Sequence, residues 1–386
     1  MKIAFLTPEY PHQKIVHSAG IGTSIKNLTV ALTKKGQQVV IFVYGQNENL
    51  VFNENGVEIH LIKVRKFQFF GWYLNRKYIE KYCNSYILKN NIDLIEAPDW
   101  TGITAFMNLK APLIIRFHGS DTYFCHLENR KQKLKNFWFE KLALQKAKAF
   151  IAPTDFAGEL TKKLFKIKNK TIQTIHYGLN LPQFQNDFPQ VFDNGLILYI
   201  GTIIRKKGVL ELPYIFRNVL AENPNARLIL IGNDSFDIQT GSSSTWQLIQ
   251  NLCTEVELKK ISYLGKIPYN DVQNYIKNAH VCIFPTFAET LGMVTIEAMA
   301  MQKPVVNSSI GWANELIDDE INGYLVHPAS HDLFARRINT LLKCKDLCIK
   351  IGSAARQKVE QEFDIDKVVI QNINFYKLII LSRKLL

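Results

Sequence analysis

Short apolar runs rich in β-branched and aromatic residues recur along the first half of this 386-residue chain, at 2–7, 38–44, 57–64, 92–97, 112–117 and 149–152. Between them lie stretches of helical spacing, at 24–35 closing on Gly36, at 75–89, and a long one over 127–148. Runs that are apolar nearly throughout, separated by helices, predict parallel strands covered on both faces. That is a doubly wound α/β domain. A polar, proline-containing stretch over 180–194 then interrupts the rhythm, and 196–200 restarts it as a new first strand. Further runs follow at 227–231, 261–264, 281–284, 304–307 and 324–326, so two Rossmann-like domains in tandem are predicted, with the linker between them.

Composition narrows the class. With 47% hydrophobic and 21% charged residues, each half can bury a sizeable core, which excludes disordered and fibrous proteins. No apolar stretch reaches the 18 or so residues of a membrane span, and Glu9 stands where a signal peptide would need small residues. Six cysteines are scattered without a disulfide rhythm, so a cytoplasmic protein with reduced thiols is expected. The net charge of +13 lies wholly in the first half: residues 1–185 hold 26 Lys and Arg against 13 Asp and Glu, and residues 186–386 hold 21 against 21. One-sided charge of this kind suggests a surface that meets something anionic. Residues 63–77 mix cations with aromatics, the composition of a segment resting on an anionic membrane surface, although aromatic core beside solvated cations has the same letters.

Four places carry candidate chemistry. Gly20 and Gly22 fall between the first strand and the 24–35 helix, where a Gly-x-Gly turn lets backbone approach an anion; an ordinary tight turn looks the same. His118 and Gly119 stand at the tip of the 112–117 strand, the end of an α/β sheet at which ligands bind. Arg205, Lys206 and Lys207 follow the 196–200 strand and precede Gly208, so fixed cations and a helix N-terminus could together clamp a pyrophosphate. Most specific is the stretch from Phe284 to Ala300. Glu289 precedes the turn Thr290-Leu291-Gly292, whose N–H groups can hold a phosphate, and Glu297 rides the helix beyond it. A carboxylate flanked by Ile296, Ala298, Met299 and Ala300 needs a polar partner, and vicinal hydroxyls would supply one.

These motifs, in this order and together with Pro304-Val305-Val306 and Asn322-Gly323-Tyr324-Leu325-Val326, resemble the retaining family 4 glycosyltransferases of GT-B architecture over nearly the whole chain. The resemblance implies two Rossmann-like domains facing across a cleft: an acceptor domain over 1–185 and a nucleotide-sugar donor domain over 186–365. A C-terminal helix over 366–386 would pack back on the first, through apolar residues that include Val369, Ile373, Phe375, Tyr376, Ile379 and Ile380. It further implies that Glu289 contacts the donor sugar and Glu297 the ribose, that Lys207 holds the diphosphate, that His118 sits beside the sugar, and that Gly22 closes over the phosphates. Where the family usually carries Arg after the glycine matching Gly201, this chain has Thr202, and Arg205 is the nearby cation that could take its place.

No cofactor is expected beyond the nucleotide diphosphate sugar, which is a substrate. No metal is expected either, since Asp364-Ile365-Asp366 lies between helical patterns and reads as a helix cap. The expected activity is sugar transfer to a glycan or lipid-linked acceptor in polysaccharide or glycolipid synthesis, by an enzyme that is cytoplasmic or peripheral on the inner membrane face. A sugar-nucleotide epimerase would share the donor pocket. A basic nucleic-acid-binding protein would explain the charge, yet the chain carries no motif for that partner.

Overall fold

The computed structural model describes residues 1–16 and 18–384. Residues 385 and 386, the end of the expected 366–386 helix, lie outside the described residues. The chain forms two compact units: Met1–Asn180 together with the chain from Asp364 onward, and Leu181–Phe363.

In the first unit the strands are β1 (Lys2–Thr7), β2 (Gln38–Gln46), β3 (Leu50–Glu54), β4 (Val57–Lys63), β5 (Leu94–Pro98), β6 (Leu113–Arg116), β7 (Ala149–Ala152) and β8 (Ile172–Thr174). Its helices are α1 (Gly20–Lys34), α2 (Gly71–Asn90), α3 (Asp121–Leu127), α4 (Leu134–Lys146) and α5 (Asp155–Phe165). The sheet order is β3-β4-β2-β1-β5-β6-β7-β8, parallel except for the β3–β4 pair. Side chains alternate strictly between two cores: Ile3, Phe5 and Ile41 enter one, and Ala4, Leu6 and Phe42 enter the other. This is why the strands read as continuous apolar runs.

The second unit holds β9 (Leu196–Ile200), β10 (Arg227–Ile231), β11 (Ile261–Tyr263), β12 (Val281–Phe284), β13 (Val305–Ser308) and β14 (Tyr324–Val326). Its helices are α6 (Leu212–Glu222), α7 (Thr245–Leu252), α8 (Glu255–Leu258), α9 (Tyr269–Asn278), α10 (Met293–Ala300), α11 (His331–Lys343) and α12 (Lys345–Lys358). The order β11-β10-β9-β12-β13-β14 is parallel throughout, so the chain reverses its direction of growth between β9 and β12 and opens a crevice at their carboxyl ends.

The chain then returns to the first unit as α13 (Ile365–Lys384). Asp364 caps this helix, its carboxylate accepting the Asp366 N–H at 3.0 Å. Val368, Val369, Ile373, Phe375, Tyr376 and Ile379 all join the core that holds β1, with Ile380 packed against it. A buried ion pair anchors the helix: Arg116 of β6 donates to Glu96 of β5 from Nε at 2.7 Å and from Nη2 at 3.1 Å. Asn372 accepts from the same Nη2 at 2.6 Å, and Tyr376 donates to Glu96 at 2.5 Å. Among the described residues no helix is long and apolar enough to cross a membrane.

Three local expectations are corrected. The long helix expected over 127–148 is the shorter α4 alone, because Leu127 already ends α3, Asn129 turns the chain through φ +50°, and α4 folds back so that its buried Glu140 accepts the Asp121 N–H at 2.8 Å. Helix α2 begins at Gly71, four residues before the expected start. Gly20 and Gly22 do not form a loop; they are the first turn of α1.

Candidate functional site

In the second unit the expected residues converge at the carboxyl ends of β9 and β12. After β9 the chain turns through Gly201 and Thr202 into a single 3₁₀ turn, Arg205–Lys207, that ends at Gly208. Gly208 has φ +69°, and a Cβ there would lie 1.6 Å from the Pro285 carbonyl oxygen beyond β12, so only glycine lets the two loops touch. The Lys206 carbonyl accepts the N–H groups of Phe287, at 2.9 Å, and Ala288, at 3.2 Å. The two strand-tip loops are thereby stitched together, which brings the Lys207 ammonium onto the Glu289 carboxylate as an ion pair.

Glu289 is mostly buried and accepts the N–H of Thr290 at 3.0 Å. Burial alone would raise its pKa, but the Lys207 charge and hydrogen bond outweigh this and hold it below the ordinary carboxylate range. The side chain of Leu291 is fully buried, so what this residue can offer a ligand is backbone. Gly292 is the N-cap of α10, leaving the first N–H groups of an eight-residue helix facing the Glu289 turn. On that helix Glu297 is 6% exposed. Its partner is Tyr269 at the start of α9, whose hydroxyl donates to Oε1 at 2.7 Å. Burial pushes the Glu297 carboxyl up to about 7, with the Tyr269 hydrogen bond pulling the other way.

Arg205 is committed elsewhere. Its Nε and Nη2 each donate to the Asp237 carboxylate at 2.8 Å, and Asp237 is 2% exposed. This bidentate pair pulls the Asp237 pKa far down and leaves Nη1 as the guanidinium edge without a hydrogen bond among the described residues.

The remaining candidates, Gly20, Gly22 and His118, belong to the first unit. A Cβ on Gly22 would sit 3.0 Å from the Tyr10 Cα, so the glycine is needed for α1 to pack on the segment after β1. Its N–H donates to Glu9 at 2.9 Å, a carboxylate on a helix N-terminus. Gly20 faces open space. The His118 N–H donates to Asp99 at 2.8 Å, and the ring stacks on Tyr177 at 5.4 Å with Nδ1 2.7 Å from the Tyr177 hydroxyl. Burial, with the Arg116 charge adding to it, lowers the His118 pKa to about 3, so the imidazole is neutral and Tyr177 sets its tautomer. Burial raises the Asp99 carboxyl to about 7.

Sequence reasoning missed Asp99, Tyr177, Asp237, Tyr269 and Glu9. Asp99 had a usable signal, since it follows an apolar strand whose tip neighbours that of β6. Asp237 had none, because its partner lies 32 residues away, beyond α6 and β10.

Comparison with known proteins bears on the family and the fold. Residues 183–358 match the model of Glycosyl transferases group 1, and residues 18–183 match that of Glycosyltransferase Family 4. An uncharacterised glycosyltransferase of Methanocaldococcus jannaschii is 24% identical, over 98% of both chains. Among solved structures, sucrose-phosphate synthase from Thermosynechococcus elongatus superposes with a TM-score of 0.82 at 20% identity, over 99% of each chain. Anabaena HepE in complex with UDP and glucose gives 0.73 at 18%, over 98% of this chain and 99% of its own.

Proposed function

Because the chain belongs to the family 4, group 1 glycosyltransferases of GT-B fold, we propose that it moves a sugar from a nucleotide diphosphate sugar to a glycan or lipid-linked acceptor. The transfer retains anomeric configuration and needs no metal ion. The observation that carries this reading is the Lys207–Glu289 pair beside the N-terminus of α10. A cation, a row of backbone N–H groups and a carboxylate converge where a diphosphate and its sugar can be held together.

In this reading Lys207 and the N–H groups after Gly292 bind the diphosphate, and Glu289 turns from Lys207 to the sugar hydroxyls. As the C1–oxygen bond to the phosphate breaks, the acceptor oxygen bonds to C1 on the same face and its proton passes to the departing phosphate. The ammonium and the helix dipole stabilise the charge that develops there. Arg205, its charge met by Asp237, has only its Nη1 edge to offer a phosphate. Six unpaired cysteines fit a reducing compartment, so the reaction is assigned to the cytoplasm.

The test is release of nucleotide diphosphate from a panel of donors, followed by NMR of the product anomer. Turnover is expected to persist in excess EDTA. Loss of activity that only Mg²⁺ or Mn²⁺ restores would overturn the metal-independent part, and an inverted anomer the retaining part. Consumption of donor alone with formation of its epimer would overturn transfer.

Glu297 gives a pH signature. If one of its oxygens accepts from the ribose while Oε1 accepts from Tyr269, the ionised form binds better, and its raised pKa of about 7 means that protonation competes with binding below neutrality. The affinity for UDP-glucose, whose pyrophosphate does not titrate in this range, is expected to weaken below 7, by at most about tenfold per pH unit, and to level off above. Calorimetric titration between pH 5.5 and 8 checks this. Glu297→Gln should bind weakly with a flat profile, and a wild-type slope in that variant would remove Glu297 from the nucleotide site.

A further inference from the structure

Residues 63–77 and 129–139 contain five and four Lys or Arg respectively and no Asp or Glu. The structure brings these two stretches to one face of the first unit. Trp72, in the first turn of α2, packs on Phe139 of α4 at 4.9 Å, and the Lys135 ammonium lies 5.6 Å from both rings. Around this seam several large apolar side chains point into solvent. Phe69 and Phe70 are each 71% exposed, Leu134 is 76% exposed and Trp138 is 53% exposed.

Leu134 and Trp138 are four residues apart on α4 and so share one stripe, with the Lys141 ammonium 5.1 Å from the Trp138 ring. Phe70 holds a left-handed backbone, φ +52°, a conformation unusual for an aromatic, and it turns the chain into α2. Trp100, after β5, is a further exposed ring whose neighbour Thr101 accepts from Arg76 of α2.

We propose that this face is a docking surface for an anionic lipid bilayer. The pairing of chemistry selects that partner. Apolar rings and a leucine set beside Lys63, Arg65, Lys66, Lys131, Lys133 and Lys135 meet both needs only at a surface with anionic headgroups over hydrocarbon, where aromatic rings seat at the interface and Lys stems extend to the phosphates. A polyanion in water would satisfy the cations and leave Leu134, Phe69 and Phe70 exposed. Arg76 is buried, and Lys77 and Arg130 pair with Glu80 and Glu128; each further cation close to such a surface raises partitioning by about fivefold, so the six that remain in these stretches suffice for reversible attachment without a spanning helix. The proposal concerns the first unit alone and does not depend on the donor chemistry proposed above.

The experiment is co-sedimentation of the full chain with phosphatidylcholine vesicles, with and without phosphatidylglycerol, at low and high salt. Binding is expected only with phosphatidylglycerol, falling steeply as salt rises, with a blue shift of tryptophan emission as Trp72 and Trp138 leave water. Charge reversal at Lys131, Lys133 and Lys135 should weaken binding by at least about tenfold. Phe69→Ser with Phe70→Ser should weaken it and reduce the shift while leaving the thermal melt unchanged. If the serine variant does not fold, the charge-reversed protein still decides. No binding at low salt, equal binding to neutral vesicles, binding indifferent to these variants, or retention on polynucleotide without vesicle binding would each overturn the proposal.

Discussion

Replacing Glu289 with Gln is expected to lower kcat by about 10²- to 10³-fold, the size of effect seen when one preorganised electrostatic group is lost from a transition state, while the affinity for nucleotide diphosphate stays within about threefold. Gln keeps the shape and can still accept the Thr290 N–H, so the turn before α10 survives. What is lost is the charge that meets Lys207 in the resting protein and, in the proposed reaction, the oxygens that hold the sugar while its bond to phosphate lengthens. Lys207→Ala should behave differently, because the ammonium both holds the diphosphate in the ground state and stabilises the further charge that develops on it in the transition state: KM should rise and kcat fall together. Steady-state kinetics with the true donor and acceptor would separate the two. A Glu289→Gln enzyme with unchanged kcat would remove the residue from the reaction.

The second large effect concerns stability. Glu96→Gln or Arg116→Met leaves one member of a buried ion pair facing a site built for its partner, and losing one partner of such a pair destabilises by about 3–5 kcal/mol. Both side chains are under 5% exposed, and the removal also strips a hydrogen-bond partner from Asn372 or Tyr376 of α13. Thermal or urea unfolding should show the loss in a transition assigned to the first unit. Removing both charges together, with Glu96→Leu and Arg116→Met in one chain, should recover part of it, because an apolar pair requires no desolvation of charge, while the buried Asn372 and Tyr376 side chains still lack these partners. Single variants that cost under about 1 kcal/mol would show that the network is not the anchor it is taken to be.

Much of this molecule is legible in its sequence because its strands are buried on both faces. A run such as Lys2–Thr7, with Ile3 and Phe5 on one side and Ala4 and Leu6 on the other, has no polar alternation to be misread. Strand tips follow from strands, and so the Arg205–Gly208 turn and the Glu289–Gly292 turn could both be found. Two short strands at the sheet edges, β3 and β8, were not predicted; their residues are half-exposed or exposed and carry little apolar signal.

What the sequence hid was the pairing of polar groups. Arg205 looks free in the chain and is held by Asp237, which no local pattern marks. Gly22 looks like a loop glycine and is a packing glycine, because the constraint comes from Tyr10 twelve residues earlier. Glu297 was legible as a carboxylate in apolar company, but Tyr269, the hydroxyl that satisfies it, comes from another helix.

The passage of the chain out of the first unit and back again sets an order of events during synthesis. The residues that close the β1-side core, from Val368 to Ile379, leave the ribosome after the whole of Leu181–Phe363. At about 5–20 residues per second, a stretch of this length takes roughly ten to forty seconds to translate. Throughout that time Ile3, Phe5 and Ile41 lack their final cover on one side of a sheet whose other side is already complete. The second unit, which is uninterrupted, can finish first. The earliest-made part of this protein is therefore the last to become native, and in the interval its half-clad sheet is the surface that a nascent-chain chaperone would have to shield.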